Sequence, residues 1–274
     1  MEKRRYALRL AYDGGDFRGF QLQPGMMTVQ GCLEEALAHI GLRVSFQVAA
    51  RTDAGVHALD QVVTFTARAA LEPATLRAAI NARTPPGLLC LDAARVAPRT
   101  HARASATSRT YVYVVGWPAP PGLARFAWSL PDAIAFPGLA SPRVDLERAR
   151  DALARVLGRH DFAGFARPGE QTARRALDPC ATVRTISRAE LVAAARRPVA
   201  AVVFEGDGFL RAMVRNIVGS VVAAAVGWVE PDRVSQILAE PGRRYRGVRA
   251  PGRGLTLARV GYPFPIFGRG ARNR

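Results

Sequence analysis

An arginine, an acid and a histidine stand within seven residues in the run Arg51-Thr52-Asp53-Ala54-Gly55-Val56-His57. A carboxylate such as that of Asp53 can act as a nucleophile or as a general base. The Asp-Ala-Gly core is also typical of an ordinary turn, because Asp and Gly favour turn conformations. The run therefore predicts a turn between two strands, and that turn can present catalytic side chains if the strands hold it rigidly.

Two arginines, Arg211 and Arg215, are four residues apart in a segment that is predicted to be helical from Phe209 to Val226. This spacing places both on one stripe of the helix. Beyond Asn216 the helix is apolar nearly all round, which indicates a buried element. An arginine at the edge of such burial needs an anionic partner. Asp53 is one such partner, and an RNA phosphate is the alternative.

Tyr111 and Tyr113 alternate along a predicted strand, so they share one face of it. By pattern alone, either tyrosine is more readily a core residue than a ligand-binding one. His57 and His101 are plausible residues for the edge of a site, but an isolated histidine is more often a structural hydrogen-bonding group. The pattern leaves the roles of all four residues open.

The first half of the chain predicts the elements that would position the Asp53 loop. Alternation of buried and exposed positions predicts strands at 6–12, 46–49, 61–67 and 88–96. Thr28 caps a predicted helix whose apolar face reaches Ile40 and which stops at Gly41. A second helix is predicted from Pro73 to about Ala82. The order β-α-β-β-α-β is that of a ferredoxin-like unit, with the loop 51–59 between its second and third strands.

The second half predicts a similar arrangement, with strands at 110–115, 181–188, 199–205 and 255–260 and helices at 145–157 and 209–226. A Pro- and Gly-rich excursion, 117–142, interrupts it. We therefore predict the α+β class, with a first lobe over residues 1–106 and a second over 107–274. Mixed or antiparallel sheets are expected in both.

The chain of 274 residues carries 39 Lys and Arg against 22 Asp and Glu, a formal net charge of +17. A surface of this sign attracts a polyanion such as nucleic acid, although a solvated basic surface is the plain alternative. The run Arg243-Arg244-Tyr245-Arg246 and the tail arginines Arg269, Arg272 and Arg274 allow the same two interpretations.

Several classes of protein are disfavoured. Three distant cysteines and four scattered histidines form neither a disulfide framework nor a zinc pattern, so we expect a reduced, cytoplasmic location and no metal. The basic N-terminus lacks the apolar core of a signal peptide. The most apolar stretch, 217–229, is too short for a bilayer span. No Gly-rich Lys-Ser/Thr loop indicates an NTPase, and Asp60 is the only second acid near Asp53, which disfavours a glycosidase.

The run from Arg51 to His57 resembles the signature loop of the tRNA pseudouridine synthases of the TruA type. Further landmarks of that family follow in order, so that the resemblance extends from about residue 6 to about residue 262. They are Tyr12-Asp13-Gly14, Val29-Gln30, Gln61-Val62-Val63, Asn81, His101-Ala102-Arg103, Arg109-Thr110-Tyr111-Val112-Tyr113, Asp161-Phe162 and the run from Phe209 to Gly219.

The resemblance implies an enzyme that isomerises uridine to pseudouridine in the anticodon arm of tRNA, at positions 38, 39 and 40. It implies two lobes that face a central basic cleft, a homodimer, and no cofactor or metal. Asp53 would be the catalytic nucleophile and Arg215 its ion-pair partner. Whether Asp53 attacks the sugar, attacks the base or deprotonates C2′ stays open at this stage.

The resemblance also implies which residues bind the substrate. Arg51 would take part in displacing the target base, which has to leave its stack to react, and Tyr111 would pack on that base. His101, Arg103 and Arg211 would contact the RNA. The alternative function is a non-catalytic tRNA-binding protein or RNA chaperone of the same fold.

Overall fold

The computed structural model describes residues 2–130, 136, 143–167, 178, 180–240 and 245–268. Two compact units are present. The first runs to Ser108 and includes the described residues from Leu257 onward, and the second runs from Arg109 to Thr256. The sequence places the boundary two residues earlier and assigns 257–268 to the second lobe. The difference arises because the last strand returns to the sheet of the first unit.

The first unit contains the predicted β-α-β-β-α-β order. Its elements are β1 (Arg4–Tyr12), α1 (Val29–Ala38), β2 (Gln47–Val48), β3 (His57–Ala67), α2 (Pro73–Asn81) and β4 (Leu88–Val96). The strands run in the order β4-β1-β3, with β2 paired to β3 and the last strand, β10 (Leu255–Gly261), next to β3. β1 is antiparallel to both β3 and β4.

Tyr6, Leu8, Leu10 and Tyr12 are all buried, as the alternation along β1 predicts, but Ala7 on the opposite face is buried too. The ring of Tyr6 stacks on Phe65 of β3 at a centroid distance of 5.6 Å. Apolar residues of the two helices complete this core, namely Val29, Leu33 and Leu37 of α1 with Leu76 and Ile80 of α2.

Several boundaries in the first unit differ from the sequence prediction, and two of the differences are at the signature loop and at the end of the first helix. The loop predicted over 51–59 ends at Val56, because β3 already begins at His57 and Ala58 pairs with Tyr12 beyond a register shift in β1. The first helix has the Thr28 cap, whose side chain accepts from the Gly31 amide, but it ends at Ala38. Ile40 therefore lies outside the helix and is 37% exposed.

The second unit contains β5 (Ser108–Gly116), β6 (Trp128–Ser129), α3 (Leu146–Ala154), β7 (Gly158–Asp161), β8 (Val183–Ala193), β9 (Val199–Gly206), α4 (Met213–Ala225) and α5 (Arg233–Ala239). The strand order is β5-β9-β8-β7 with antiparallel β5–β9, β9–β8 and β8–β7 pairs, and β6 runs parallel to β5. β6, β7 and α5 are additions to the predicted repeat. The α+β class with mixed sheets is confirmed.

α4 begins four residues later than predicted. Ala212 has a φ of 63°, in the left-handed region, and with Arg211 it forms the turn that precedes Met213. Twelve of the thirteen residues of α4 are buried, so the prediction of a buried helix is confirmed. Arg211, however, precedes the helix, and the prediction that it shares a helical stripe with Arg215 is wrong.

No helix within the described ranges combines the length and the apolar character of a bilayer span. In the same part of the chain, no three His, Cys, Asp or Glu side chains gather in a way that could hold a metal ion. Arg243 and Arg244, the tail arginines Arg269, Arg272 and Arg274, and much of the excursion 117–142 lie outside the described residues.

Candidate active site

Asp53 lies on a turn in the first unit that connects β2 to β3. The Val56 amide donates to the Asp53 carbonyl oxygen at 3.2 Å, and Gly55 adopts a φ of 76°. This left-handed position is the one that favours glycine in a type II turn. Thr52 is buried, Asp53 is partly exposed and Arg51 is exposed. The turn thus has a buried anchor beside an accessible carboxylate and an accessible guanidinium.

A buried tyrosine holds the anchor. The hydroxyl groups of Tyr12 and Thr52 are 2.8 Å apart, and the Gln61 Nε2 group donates to the Tyr12 hydroxyl at 3.2 Å. The same Gln61 amide spans the backbone of Ala50, with Nε2 donating to the Ala50 carbonyl oxygen at 2.7 Å and Oε1 accepting from the Ala50 amide at 3.3 Å. Burial raises the pKa of Tyr12 to about 12. The phenol therefore stays protonated at neutral pH and can donate to Thr52.

Glycines let the segment 14–20 pack directly on the turn. A Cβ added at Gly14 would lie 2.1 Å from the Val56 carbonyl oxygen, and one at Gly19 would lie 3.0 Å from that of Thr52. The Phe20 amide donates to the Thr52 carbonyl oxygen at 3.1 Å. Backbone from two segments is therefore in direct contact around Asp53, with no room for side chains between them.

His57 has a structural position. It is 3% exposed, and its Nδ1 accepts from the Gly14 amide at 3.0 Å while lying 3.1 Å from Asp13 Oδ1. The hydrogen bond from the Gly14 amide holds the segment 14–20 against the end of the signature loop. His57, whose role the sequence left open, thus contributes to the shape of the loop.

His101 and Arg103 occupy a second turn of the first unit, between β4 and β5. The Nδ1 atom of His101 accepts from the amides of Arg103 at 3.1 Å and Ala104 at 3.2 Å. The Ala102 amide donates to Thr64 Oγ1 on β3 at 3.2 Å, which attaches this turn to the sheet. Arg103 is exposed. One imidazole nitrogen of His101 is thus used by the backbone, which favours a supporting role for this histidine.

Tyr111 and Tyr113 lie on one face of β5 in the second unit, as predicted, but they differ in their surroundings. Tyr113 is fully buried, its hydroxyl donates to the Pro251 carbonyl oxygen at 2.8 Å, and burial raises its pKa strongly. Tyr111 is 8% exposed, and its ring meets that of Phe209 edge-on at 5.2 Å. Tyr113 is a core residue, whereas Tyr111 retains some access to solvent.

Arg215 lies in the first turn of α4. Its Nε donates to the Ala250 carbonyl oxygen at 2.8 Å, and its own carbonyl oxygen accepts from the Ala250 amide at 3.1 Å. These two bonds orient the guanidinium at the start of the helix. Arg211 is exposed, and its carbonyl oxygen accepts from the Arg167 amide at 3.0 Å. Asp53 belongs to the first unit and Arg215 to the second, and their pairing stays a prediction.

Sequence reasoning did not single out the buried polar residues Tyr12, Gln61 and Asn216. Asn216 is fully buried next to Arg215, where its Nδ2 donates to the Phe165 carbonyl oxygen at 2.7 Å and its Oδ1 accepts from Arg249 Nε at 3.1 Å. All three residues stand in landmarks of the resemblance. A buried polar side chain with several partners is a signal for such a role, but burial is known only from the fold.

The chain matches a family model described as tRNA pseudouridine synthase over residues 10–103 and 152–263. The matched segments include Arg51, Asp53, His101, Arg103, Arg211 and Arg215, whereas Tyr111 lies between them.

Curated relatives extend the similarity to almost the whole chain. A protein named tRNA pseudouridine synthase A from Solibacter usitatus (strain Ellin6076) is 36% identical over 262 residues, covering 94% of this chain and 100% of the relative. Proteins with the same name from Geobacillus sp. (strain WCH70) and Streptococcus suis (strain 98HAH33) are 35% and 33% identical, each covering 94% of this chain and 98% of the relative. A solved structure of an unknown protein from Galdieria sulphuraria aligns at 14% identity over 88% of this chain and 95% of that one, with a TM-score of 0.25.

Proposed function

The chain belongs to the tRNA pseudouridine synthase family, and on that premise we propose that it converts uridine to pseudouridine in the anticodon arm of tRNA, at positions 38, 39 and 40. The observation that carries the proposal is the construction of the Asp53 turn. A partly exposed carboxylate stands on a turn whose neighbouring residue, Thr52, is fixed by the buried hydroxyl of Tyr12 at 2.8 Å. A single acid that is rigidly presented meets the needs of this isomerisation.

The reaction breaks the bond between N1 of uracil and C1′ of its ribose, rotates the base, and forms a bond between C5 and C1′. The proton on C5 is then removed and N1 gains a proton, so the atoms balance without an oxidant or a hydrolytic water. We propose Asp53 as the nucleophile, and a base is needed at the C5 proton. Attack on the sugar, attack on the base and removal of the C2′ proton are three ways in which one carboxylate can start this sequence.

The other site residues have proposed roles in binding. Arg51, two residues before Asp53 and exposed, would occupy the space from which the target base is displaced. Tyr111, which is buried except for 8% of its surface, would pack on the base. Arg215 would pair with Asp53 and keep it ionised.

Three basic or polar residues outside the reacting centre are proposed to contact the RNA: His101, Arg103 and Arg211. The arginines are exposed. An exposed guanidinium binds phosphate oxygens in a bidentate manner. His101 is proposed to shape the turn that presents Arg103, since its Nδ1 accepts from the Arg103 amide at 3.1 Å.

We propose tRNA as the partner, a homodimer as the assembly and the cytoplasm as the location. The net charge of +17 supports binding to a polyanion, and such binding weakens as salt rises. The cysteines Cys32, Cys90 and Cys180 are free thiols, which supports a reducing compartment. The homodimer rests on family resemblance, and sedimentation of the purified chain with and without tRNA tests it.

The experiment incubates the wild type and Asp53→Ala with unmodified tRNA transcripts in the presence of a chelator. Pseudouridine is mapped by carbodiimide labelling and reverse-transcription stops. We expect stops in the anticodon arm with the wild type, and a loss of about a thousandfold or more in rate with Asp53→Ala at nearly unchanged RNA affinity. Glu72→Gln, which removes an exposed acid of the same unit, is the matched control.

Three outcomes decide between the functions. Stops that persist in Asp53→Ala would overturn its catalytic role. Tight binding without modification by the wild type would favour the non-catalytic tRNA-binding protein. Stops outside the anticodon arm would retain the isomerase and overturn the proposed target.

A further inference from the structure

An exposed apolar cluster lies in the segment that precedes α1. It consists of Leu22, Met26 and Met27, whose side chains are 50%, 53% and 50% exposed. Single exposed apolar residues are common on protein surfaces, but several large ones in one short segment indicate a surface that meets a partner. Exposure of such side chains is unfavourable by about 25 cal/mol for each Å² of apolar area.

Hydrogen bonds hold residues 18–30, the segment that carries the cluster, in one conformation. The Arg18 amide donates to the Met27 carbonyl oxygen at 2.9 Å, and the Gln23 side chain donates to the Arg18 carbonyl oxygen at 2.8 Å. The Leu22 amide donates to Gln30 Oε1 in α1 at 3.2 Å. These bonds close the segment on itself and on the helix, so the three apolar side chains are presented by an ordered surface.

The same segment is attached to the signature loop. The Phe20 amide donates to the Thr52 carbonyl oxygen at 3.1 Å, and Gly19 packs against the backbone of Thr52 and Asp53. A Cβ at Gly19 would lie 3.2 Å from the Asp53 carbonyl carbon. The segment that carries the cluster is therefore attached directly to the backbone of the Asp53 turn.

The charges around the cluster indicate what it meets. Residues 17–33 contain one charged residue, Arg18, and the acids Asp16, Glu34 and Glu35 flank this range. Arg18 and Arg51 are both exposed. A second copy of this chain that docked through the same patch would bring these arginines towards their own symmetry mates, which is unfavourable. An RNA offers phosphates to the arginines and base faces to the apolar side chains, and it is the occupant that the charges favour.

We propose that Leu22, Met26 and Met27 pack against the nucleobases that lose their stacking partner when the target uridine leaves the helix. This inference rests on the proposed function. Extrusion of a base costs a few kcal/mol, and apolar side chains inserted at an opened base step offset part of that cost. The cluster would thus act as a positioning surface for uridines in paired regions, which have the largest cost of extrusion.

The experiment compares the wild type with the double variant Met26→Gln/Met27→Gln, because glutamine keeps the side-chain length and removes the apolar end. One tRNA transcript has the target uridine paired with adenine in the anticodon stem, and a second has a mismatch opposite the same uridine. We expect kcat/KM of the double variant to fall about tenfold on the paired substrate and about twofold on the mismatched one. Leu22→Gln should show a smaller loss with the same preference.

Leu89→Gln is the matched control, since Leu89 is 47% exposed on β4, away from this segment in the sequence. The control should leave both substrates unchanged. Equal losses on the two substrates, or no loss, would overturn the inference while the wild type still modifies both. A wild type that modifies neither would instead overturn the proposed function. A change in sedimentation without RNA, with an unchanged ratio between substrates, would show that the cluster binds a second copy.

Discussion

The signature loop of the first unit and the start of α4 in the second unit are both ordered, but by different forces. Around Asp53 the order comes from a few polar atoms, chiefly the Tyr12 hydroxyl and the Gln61 amide, together with glycines that allow close backbone contact. Around Arg215 it comes from a helix that is buried on nearly every side. The loop can present an accessible carboxylate because its anchors are buried beneath it.

The difference predicts how each region fails. A loop held by a small number of hydrogen bonds loses activity when one bond is removed, while the rest of the unit stays folded. A helix inside a packed core resists small polar changes at its surface but responds to any change in volume.

Gly14→Ala and Gly219→Ala are expected to have the largest effects. An added Cβ would lie 2.1 Å from the Val56 carbonyl oxygen at the first position and 1.7 Å from the Val248 carbonyl oxygen at the second. Each substitution should lower the free energy of unfolding by about 3 kcal/mol or more. Denaturant titration measures this, and Gly122→Ala is the control because nothing lies within 4 Å of its added Cβ. A stable Gly14→Ala variant with full activity would contradict the close packing.

Asn216→Ala tests the polar anchor inside the second unit. The change leaves the Phe165 carbonyl oxygen and the Arg249 Nε group without the side chain that each now binds. We expect a loss of about 2 to 3 kcal/mol in the free energy of unfolding, because unsatisfied buried polar groups are costly. Asn216→Asp keeps the acceptor for Arg249 and removes the donor, and it separates the two contacts. If Asn216→Ala lowers the free energy of unfolding by less than the substitution of an exposed residue does, Asn216 is not an anchor.

Tyr12→Phe removes one hydroxyl from the anchor of the signature loop and leaves its ring in the core. We expect about 1 kcal/mol lower stability and about tenfold lower kcat with little change in KM. Steady-state kinetics on a tRNA transcript measure this split. Tyr245→Phe removes a buried hydroxyl from the second unit, 2.8 Å from the Val248 carbonyl oxygen, and should lower stability without the same loss of kcat. If Tyr12→Phe and Tyr245→Phe lowered kcat equally, the distinction between the two regions would be contradicted.

Alkaline pH should remove the contribution of one buried tyrosine hydroxyl in each unit, that of Tyr12 in the first and that of Tyr245 in the second. Burial raises the pKa of Tyr12 and of Tyr245 from 10.0 to about 12. The unfolded chain therefore loses these protons first, so the contribution of each hydroxyl is full below pH 10 and is lost as the pH rises towards 12. Each tyrosine contributes about 0.4 kcal/mol of this loss at pH 10. Between pH 8 and 11, the denaturant midpoint should fall less steeply with pH in Tyr12→Phe and in Tyr245→Phe than in the wild type. A variant whose midpoint falls as steeply as that of the wild type would contradict the burial of its hydroxyl.

Much of the first unit could be predicted because its signals are local. The alternation from Tyr6 to Tyr12 marks β1, Thr28 marks the start of α1, and Leu88–Val96 has the predicted bounds of β4. The start of β3 could not be predicted, because it depends on pairing with a strand more than forty residues earlier in the chain. Likewise, β6 and β7 have two and four residues, too few to show a period.

Residue types and short-range periodicity are enough to predict the α+β class, the order of elements in the first unit and the run that contains Asp53. The fold was needed to show that His57 is an anchor, that Arg211 precedes α4, that Tyr113 is more deeply buried than Tyr111, and that Tyr12 and Gln61 hold the loop. Burial and hydrogen-bond partners depend on which distant segments meet. That meeting is a property of the whole fold and not of any short run of residues.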